Sequence, residues 1–543
     1  MQVKVENTVE TGSFIDKYIH QDSHIHSFFD YNLSGIDSKS RYNELMSQTY
    51  EREKLVIALR KYNQTYHPSE RAMKQIERLK DLESVVVVGG QQAGLLTGPL
   101  YTVNKIISIL LEAKNLEEQL SVPVIPIFWI AGEDHDIDEV NHTYFYDGEN
   151  SKKIRIPEKN DIKSSMSERF INAEAKREIE EAFRFLHETS HTRKLYDDLI
   201  NDLSEEMTYT EWCGKILHRL FCNTDLVLMD AADPNIRQIE RNYFKQMVEK
   251  NDTLRTSFID QGNLIKDGGL GEPIALDKNN AHLFFHEGNQ RFLLEKTEIG
   301  FREKQGERNW TEAELLNQLE NGTLRLSNNV VTRPIMQDFL LPVHTFIAGP
   351  GELKYWAALK KAFHTFGKFM PVIRPRLHLT YVSRKTEQNL FRYHLKPEAI
   401  TLSGVKEVQE RLIEEGKELD EKKILQEAES DLKNVVEKFT EKLTPLGKGI
   451  IPINDKYKSQ FDDRFKLYQK SVQNFLLLKN ETHLRRLDKI EIEIKPHGHW
   501  QERYLNIYPF LNQYGDDLVE RTLKALTEAP IKSVAGSHVY IFL

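Results

Sequence analysis

Cysteine is nearly missing from this chain: Cys213 and Cys222 are the only two in 543 residues. Two thiols so placed build no disulfide framework, and a structural zinc site needs more Cys or His at closer spacing. They read as small thiols of a reducing compartment. Long apolar runs are missing as well. Val122–Ala131 is among the longest, and it is too short to cross a bilayer. The opening MQVKVENTVETGSF lacks a basic stretch followed by an apolar core, so no secretory leader is expected. A surplus of positive charge is also absent. The formal net charge is −9, which argues against a generic nucleic-acid binder. Together these absences predict a cytoplasmic protein with neither a membrane nor a nucleic acid as partner.

What is present is concentrated at Val85–Glu139. Val85–Val88 is an apolar, β-branched run, the pattern of a strand buried on both faces. Gly89–Gly98 reads as a loop, and Pro99 is suited to open a helix. Val124–Ile130 is a second buried strand, running directly into the acidic loop Gly132–Glu139. The sum is a strand–loop–helix–strand unit, whose loops after the strand ends form a ligand crevice. Leu226–Met229 is a further strand candidate. It leads into Asp230–Pro234, a second crevice loop with Asp233 as N-cap and Pro234 at the first helical position. His282–His286 and Gln290–Glu295 suggest a hairpin, and Val343–Ala348 another strand, with a helix opening at Gly349-Pro350. From about Ser383 to Lys495 glycine is scarce and Lys, Glu, Leu and Gln dominate. Glu418–Leu443 and Asp455–Ile494 carry helical periodicity around a turn at Pro445–Pro452, predicting a helical hairpin. Such a hairpin leaves apolar surface that a second copy of the chain would cover.

Two loops carry candidate chemistry. In the first, Gly89, Gly90, Gly94 and Gly98 permit close backbone approach, and Gln91, Gln92 and Thr97 are polar without a structural need to be. Gly89 and Gly94 have Walker A spacing, but Leu95-Leu96 stand where Lys-Ser/Thr is required, and GxGxxG does not fit. In the second, Asp134, His135 and Asp136 place an imidazole among carboxylates. Such neighbours raise its proton affinity and suit acid/base work or ammonium binding. An EF-hand is disfavoured, because Glu139 and Phe145 occupy its glycine and bidentate-carboxylate positions, and no metal is predicted. Asn329, Thr332 and Arg333 form a third polar cluster, in which Arg333 could clamp a carboxylate. Glu352, Tyr355 and Arg374 are weaker candidates of the same kind.

These stretches together resemble the bacillithiol synthase family of cysteine ligases. The matching residues are VVGGQQAGLLTGPLYT at 87–102, PVIPIFWIAGEDHDIDE at 123–139, SNNVVTRPIMQDFLLP at 327–342, FIAGPGELKYW at 346–356 and MPVIRPR at 370–376. QERYLNIYPFLNQYG at 501–515 also looks like the family's ending. The resemblance covers essentially the whole chain. It implies an α/β fold: a Rossmann-like parallel-sheet core related to class I aminoacyl-tRNA synthetases, with connecting-peptide insertions, plus an α-helical coiled-coil domain that dimerises the protein. On this chain that means a core at 1–382 with insertions near 144–225 and 252–325. The coiled coil would occupy 383–495, and 496–543 would return to the core.

The implied activity is amide formation between L-cysteine and glucosaminyl-malate, with ATP activating the carboxylate. On that reading Gly90, Gln91, Gln92 and Thr97 line the crevice. Asp134 and His135, with Asp136, take an ammonium and move protons, and Asn329, Thr332 and Arg333 hold the malate carboxylates. The chain departs from the related synthetases at the first helix, where Thr97–Thr102 has no HxGH-type histidines, and no KMSKS-type loop is found. Nucleotide use is therefore implied by reaction and fold, and the nucleotide's site is left open. A non-catalytic scaffold with a degenerate nucleotidyltransferase core is the alternative, and a metal-dependent hydrolase on Asp134–Asp138 a third.

Overall fold

The computed structural model describes residues 1–6, 8–158, 163–204, 206–272, 274–415, 420–529 and 535–543. They form two compact units, Met1–Arg384 with His499–Leu543, and Lys385–Gly498.

Among the described residues the first unit carries fifteen strands: β1 (Gln2–Glu6), β2 (Val85–Gln91), β3 (Val124–Ile130), β4 (His142–Tyr146), β5 (Ser151–Arg155), β6 (Val227–Asp230), β7 (Asn280–Glu287), β8 (Gln290–Lys296), β9 (Gly300–Glu303), β10 (Asn309–Thr311), β11 (Arg325–Asn328), β12 (Val343–Ala348), β13 (Val372–Pro375), β14 (His378–Val382) and β15 (His538–Phe542). Five make a wholly parallel sheet in the order β13-β12-β2-β3-β6. Val85–Val88 and Val124–Ile130 are buried throughout, as β-branched runs covered on both faces must be. The chain leaves β2 for β3 on one side and later places β12 on the other, so the order reverses at β2. The crevice beyond the ends of β2 and β12 is the topological switch point of the sheet.

β2 runs further than the sequence suggests. It passes through Gly89 and Gly90 to Gln91, because both glycines pair with β3. A Cβ on Gly90 would lie 2.8 Å from the Trp129 carbonyl oxygen, so no side chain fits there. The following helix begins at Tyr101 rather than Pro99. Leu96, Thr97 and Gly98 all have positive φ, and this left-handed stretch delays the helix by two residues. Its carbonyls are held from the far end of the chain, where the Asn506 amide donates to Leu96 O and Gly98 O.

An antiparallel sheet, β10-β9-β8-β7-β11, is inserted before β12, and its β7–β8 turn is the hairpin expected at Glu287–Gln290. β15 joins the C-terminal segment to β14 and β1. In the second unit, helices Glu421–Leu443 and Ile451–Lys479 are joined by two short 3-10 turns. Their contacts run in opposite directions, with Glu437 near Lys458 and Glu429 near Gln469. Glu418, the expected start of the first of these helices, lies outside the described residues. The expected second helix is interrupted at Asn480. Val435, Phe439, Phe461, Phe475 and Leu478 are exposed.

Candidate functional site

At the switch point lies a cavity of about 360 Å³. Gly90, Gln91 and Gln92 reach it from the end of β2, Asp134 from the loop after β3, and Arg333 from the helix Thr332–Leu340. Glu352 and Tyr355 come from the helix after β12, Arg376 from the end of β13 and Arg503 from the C-terminal segment. Lys105 enters from the helix that follows the glycine loop.

The charges here are mostly committed. The Lys105 ammonium donates to Gly90 O at 2.7 Å and to Gln91 Oε1 at 3.2 Å, and pairs with Glu352. Burial pushes its pKa down, and Glu352 works against that shift. The Arg376 guanidinium is clamped by both Glu502 oxygens, at 2.6 and 2.8 Å. Burial alone would raise the Glu502 pKa, but Arg376 and His378 hold it well below the usual carboxylate range. Arg333 differs. Among the described residues its side chain reaches the Tyr355 hydroxyl at 3.5 Å and forms no ion pair. An enclosed guanidinium without a carboxylate is an anion-seeking group.

Asp134 supplies the opposite charge. Its carboxylate accepts from Gln92 Nε2 at 2.9 Å and from the His135 backbone N–H at 2.7 Å. Burial pushes its pKa up, but those hydrogen bonds with Arg291 and Arg333 leave it below the ordinary value. It is ionised at neutral pH. His135, although adjacent, turns away to Phe284 of β7 and is not among the residues lining the cavity. The expectation that carboxylates raise its proton affinity is corrected. Burial, followed by Arg291, lowers its pKa. Arg291 is fixed by Ser327 Oγ, stacks 3.8 Å over the Phe284 ring, and donates to His135 Nδ1 at 3.2 Å. A guanidinium can only donate, so Nδ1 accepts and the neutral ring carries its proton on Nε2.

The structure thus brings Gly90, Gln91, Gln92, Asp134 and Arg333 together and keeps other expected residues apart. Thr97 is wholly buried at positive φ, with a hydroxyl that meets no partner among the described residues. Asp136 is exposed beyond the cavity. Asn329 and Thr332 are occupied by local structure. Thr332 Oγ1 donates to His282 O, while the Asn329 carbonyl caps Val331 and Thr332. The sequence reading missed Lys105, Arg376 and Arg503. Lys105 did leave a signal, since a lone lysine within the apolar series of a buried helix needs a partner. Glu502, which fixes Arg376, left none.

A second cavity, about 620 Å³, opens beyond the end of β6, where the Asp230–Pro234 loop was singled out. Asp230 forms part of its wall, with Tyr62, Tyr66, Ser167 and Arg237. Among the described residues no three His, Cys, Asp or Glu side chains converge as a metal site, and no described helix is long and apolar enough to cross a membrane.

Two family models cover the chain. One, described as "Bacillithiol biosynthesis BshC, N-terminal Rossmann-like domain", matches residues 1–377. The other, "Bacillithiol biosynthesis BshC, C-terminal coiled-coil domain", matches residues 379–532. Among curated proteins, the chain is 36% identical to "Putative cysteine ligase BshC" of Bacillus licheniformis over 96% of its own length and 97% of that protein's. It is 35% identical to the protein of the same name from Bacillus cereus strain Q1, again over 96% and 97%.

Proposed function

We propose that this chain, which belongs to the BshC family of bacillithiol biosynthesis, is a ligase that joins L-cysteine to glucosaminyl-malate through an amide bond. The observation that carries the reading is the pairing of Asp134 and Arg333 in one small cavity at the switch point. One is an ionised carboxylate and the other a guanidinium without an ion pair, and a free amino acid presents the complementary zwitterion. The cysteine ammonium would lie against Asp134, which Gln92 keeps in place, and the cysteine carboxylate against Arg333.

A free carboxylate resists amide formation, so it needs an activating group. The donors that could meet phosphate oxygens are Arg333, Arg376 and Arg503, and this set fits an anion of that kind. Bound there, ATP would supply the leaving group that a carboxylate oxygen lacks. The protein's own part is to hold the carboxylate at Arg333, to keep Arg376 rigid through Glu502, and to neutralise Lys105 with Glu352. In the product-forming step the amine nitrogen bonds to the cysteine carboxyl carbon, the activated oxygen departs, and the amine gives up a proton. Neutral His135, carrying its proton on Nε2, is a hydrogen-bond donor rather than the base for that proton. We further read the exposed apolar side chains of the helical hairpin as the contact for a second copy of the chain, and the protein as cytoplasmic.

The test is direct. Purified protein is incubated with cysteine and glucosaminyl-malate, with and without ATP, and the mixture is searched for the mass of the condensed product. No product with any nucleotide would sink the reading of a self-sufficient ligase.

A further inference from the structure

The buried charges around the second cavity are out of balance in a way that points to its ligand. Asp230 ends β6 and is only 4% exposed. Its oxygens accept from the Ala232 N–H at 2.9 Å and the Ser167 hydroxyl at 2.7 Å, both neutral donors. Among the described residues it forms no ion pair. Arg237, the buried cation on the same wall, is taken by Glu133 at 2.6 Å and Glu240 at 2.8 Å. The other basic side chains of the lining, such as Lys61 and Arg241, are exposed at the rim. A buried carboxylate without a cation is costly. Burial accordingly pushes the Asp230 pKa up to about 6, and Asp233 adds to the shift.

The rest of the wall indicates the shape of the missing cation. Tyr62 and Tyr66 are buried and meet edge to face, with ring centroids 5.1 Å apart, and Thr210 and Gln238 add hydrogen-bonding groups. Aromatic rings beside hydroxyl and amide groups in one wall suit a hydroxylated ring that is apolar on one face and polar at its edge. A volume of about 620 Å³ is ample for such a molecule.

We propose that the second cavity binds an amino sugar, with its primary ammonium paired to Asp230 and its ring against Tyr62 and Tyr66. Gly132 ties this site to the first cavity. A Cβ there would lie 2.0 Å from Ser167 Oγ and 2.1 Å from Asp230 Oδ1, while Ala131 just before it and Asp134 two positions on line the first cavity. One short loop therefore has a face on each. That the natural occupant is the amine-bearing substrate of the ligase rests on the function proposed above. The existence of an amino-sugar site does not.

The experiment uses the full chain and three probes: glucosamine, glucose and N-acetylglucosamine, each titrated by isothermal calorimetry at pH 7.5. Glucosamine is expected to bind about tenfold or more tightly than the two neutral sugars, as for loss of one buried charge-assisted contact. Asp230→Asn is expected to remove that preference, and Tyr66→Ala to weaken all binding. Equal binding of the three sugars by wild-type protein overturns the proposal without recourse to any variant. Unchanged preference in a folded Asp230→Asn protein overturns it as well. If the sugars bind as expected but no ligation product forms, the site stands and the ligase reading falls.

Discussion

Two cavities sit beyond the same end of the same parallel sheet, and they differ in which charges are left without a counter-charge. In the first, the carboxylates Glu352 and Glu502 are matched by Lys105 and Arg376, which leaves Arg333 and Asp134, one charge of each sign, without an ion pair among the described residues. In the second, Arg237 is matched by Glu133 and Glu240, and Asp230 is the one without. The sheet is alike beneath both. What differs is which charges the neighbouring elements leave uncompensated: one of each sign in the first cavity, suited to a zwitterion, and a carboxylate in the second, suited to a cation. A reaction that joins an amino acid's carboxylate to an amine needs both.

The comparison can be broken most severely at Glu502. Replacing it with Leu leaves Arg376 as a buried cation without its clamp, and should cost about 3–5 kcal/mol of stability, read by chemical denaturation. If stability held and Arg376 still served the first cavity, the clamp would be irrelevant to it. Arg333→Met comes next. It should lower kcat/KM for cysteine by about a hundredfold while leaving glucosamine binding unchanged, since a truncated charge contact to substrate costs about 2–5 kcal/mol. A loss shared equally by both ligands would mean that the cavities are not separate in function.

Asp230→Asn sharpens the contrast through stability. The Asp230 pKa of about 6 in the folded chain lies above its ordinary value of 3.8. The stability linked to this proton is therefore complete below pH 3.8 and lost as pH rises through 6. The variant removes that loss, so it should be more stable than wild type by about 3 kcal/mol at pH 8, with the gain fading toward pH 4. A gain that did not change with pH would show that Asp230 is not protonated in the fold. Gly132→Ala, on the loop shared by the two cavities, drives a methyl group into the Ser167 and Asp230 side chains, and should destabilise the protein by about 1–3 kcal/mol. The smallest effect is expected from Gln92→Ala. It frees Asp134 from one hydrogen bond and should raise KM for cysteine about fivefold, with kcat nearly intact.

Much of this was legible in the chain itself. Val85–Val88 and Val124–Ile130 announce strands covered on both faces, and the crevice loops follow directly from where those runs end. Gln91, Gln92 and Asp134 stand out as polar residues in those loops and Arg333 at the start of a later helix, and they meet in one cavity. Thr97, Asn329 and Thr332 stand out by the same criterion and do not reach it, because local backbone geometry takes them. A polar residue next to a crevice can serve the ligand or the loop, and the sequence does not distinguish the two.

Sequence alone determined the buried strands Val85–Val88 and Val124–Ile130, the parallel character implied by their apolar runs, the long charged helices and the family, because these depend on periodicity and on motifs that are local in the chain. Tertiary structure alone decided which charges are compensated. Lys105 meets Glu352 across 247 positions, Arg376 meets Glu502 across 126, and Ser167 meets Asp230 across 63. Coulomb attraction and burial act on distance in space. That Arg333, Asp134 and Asp230 lack an ion pair among the described residues therefore becomes visible only when the other charges of the fold have been placed.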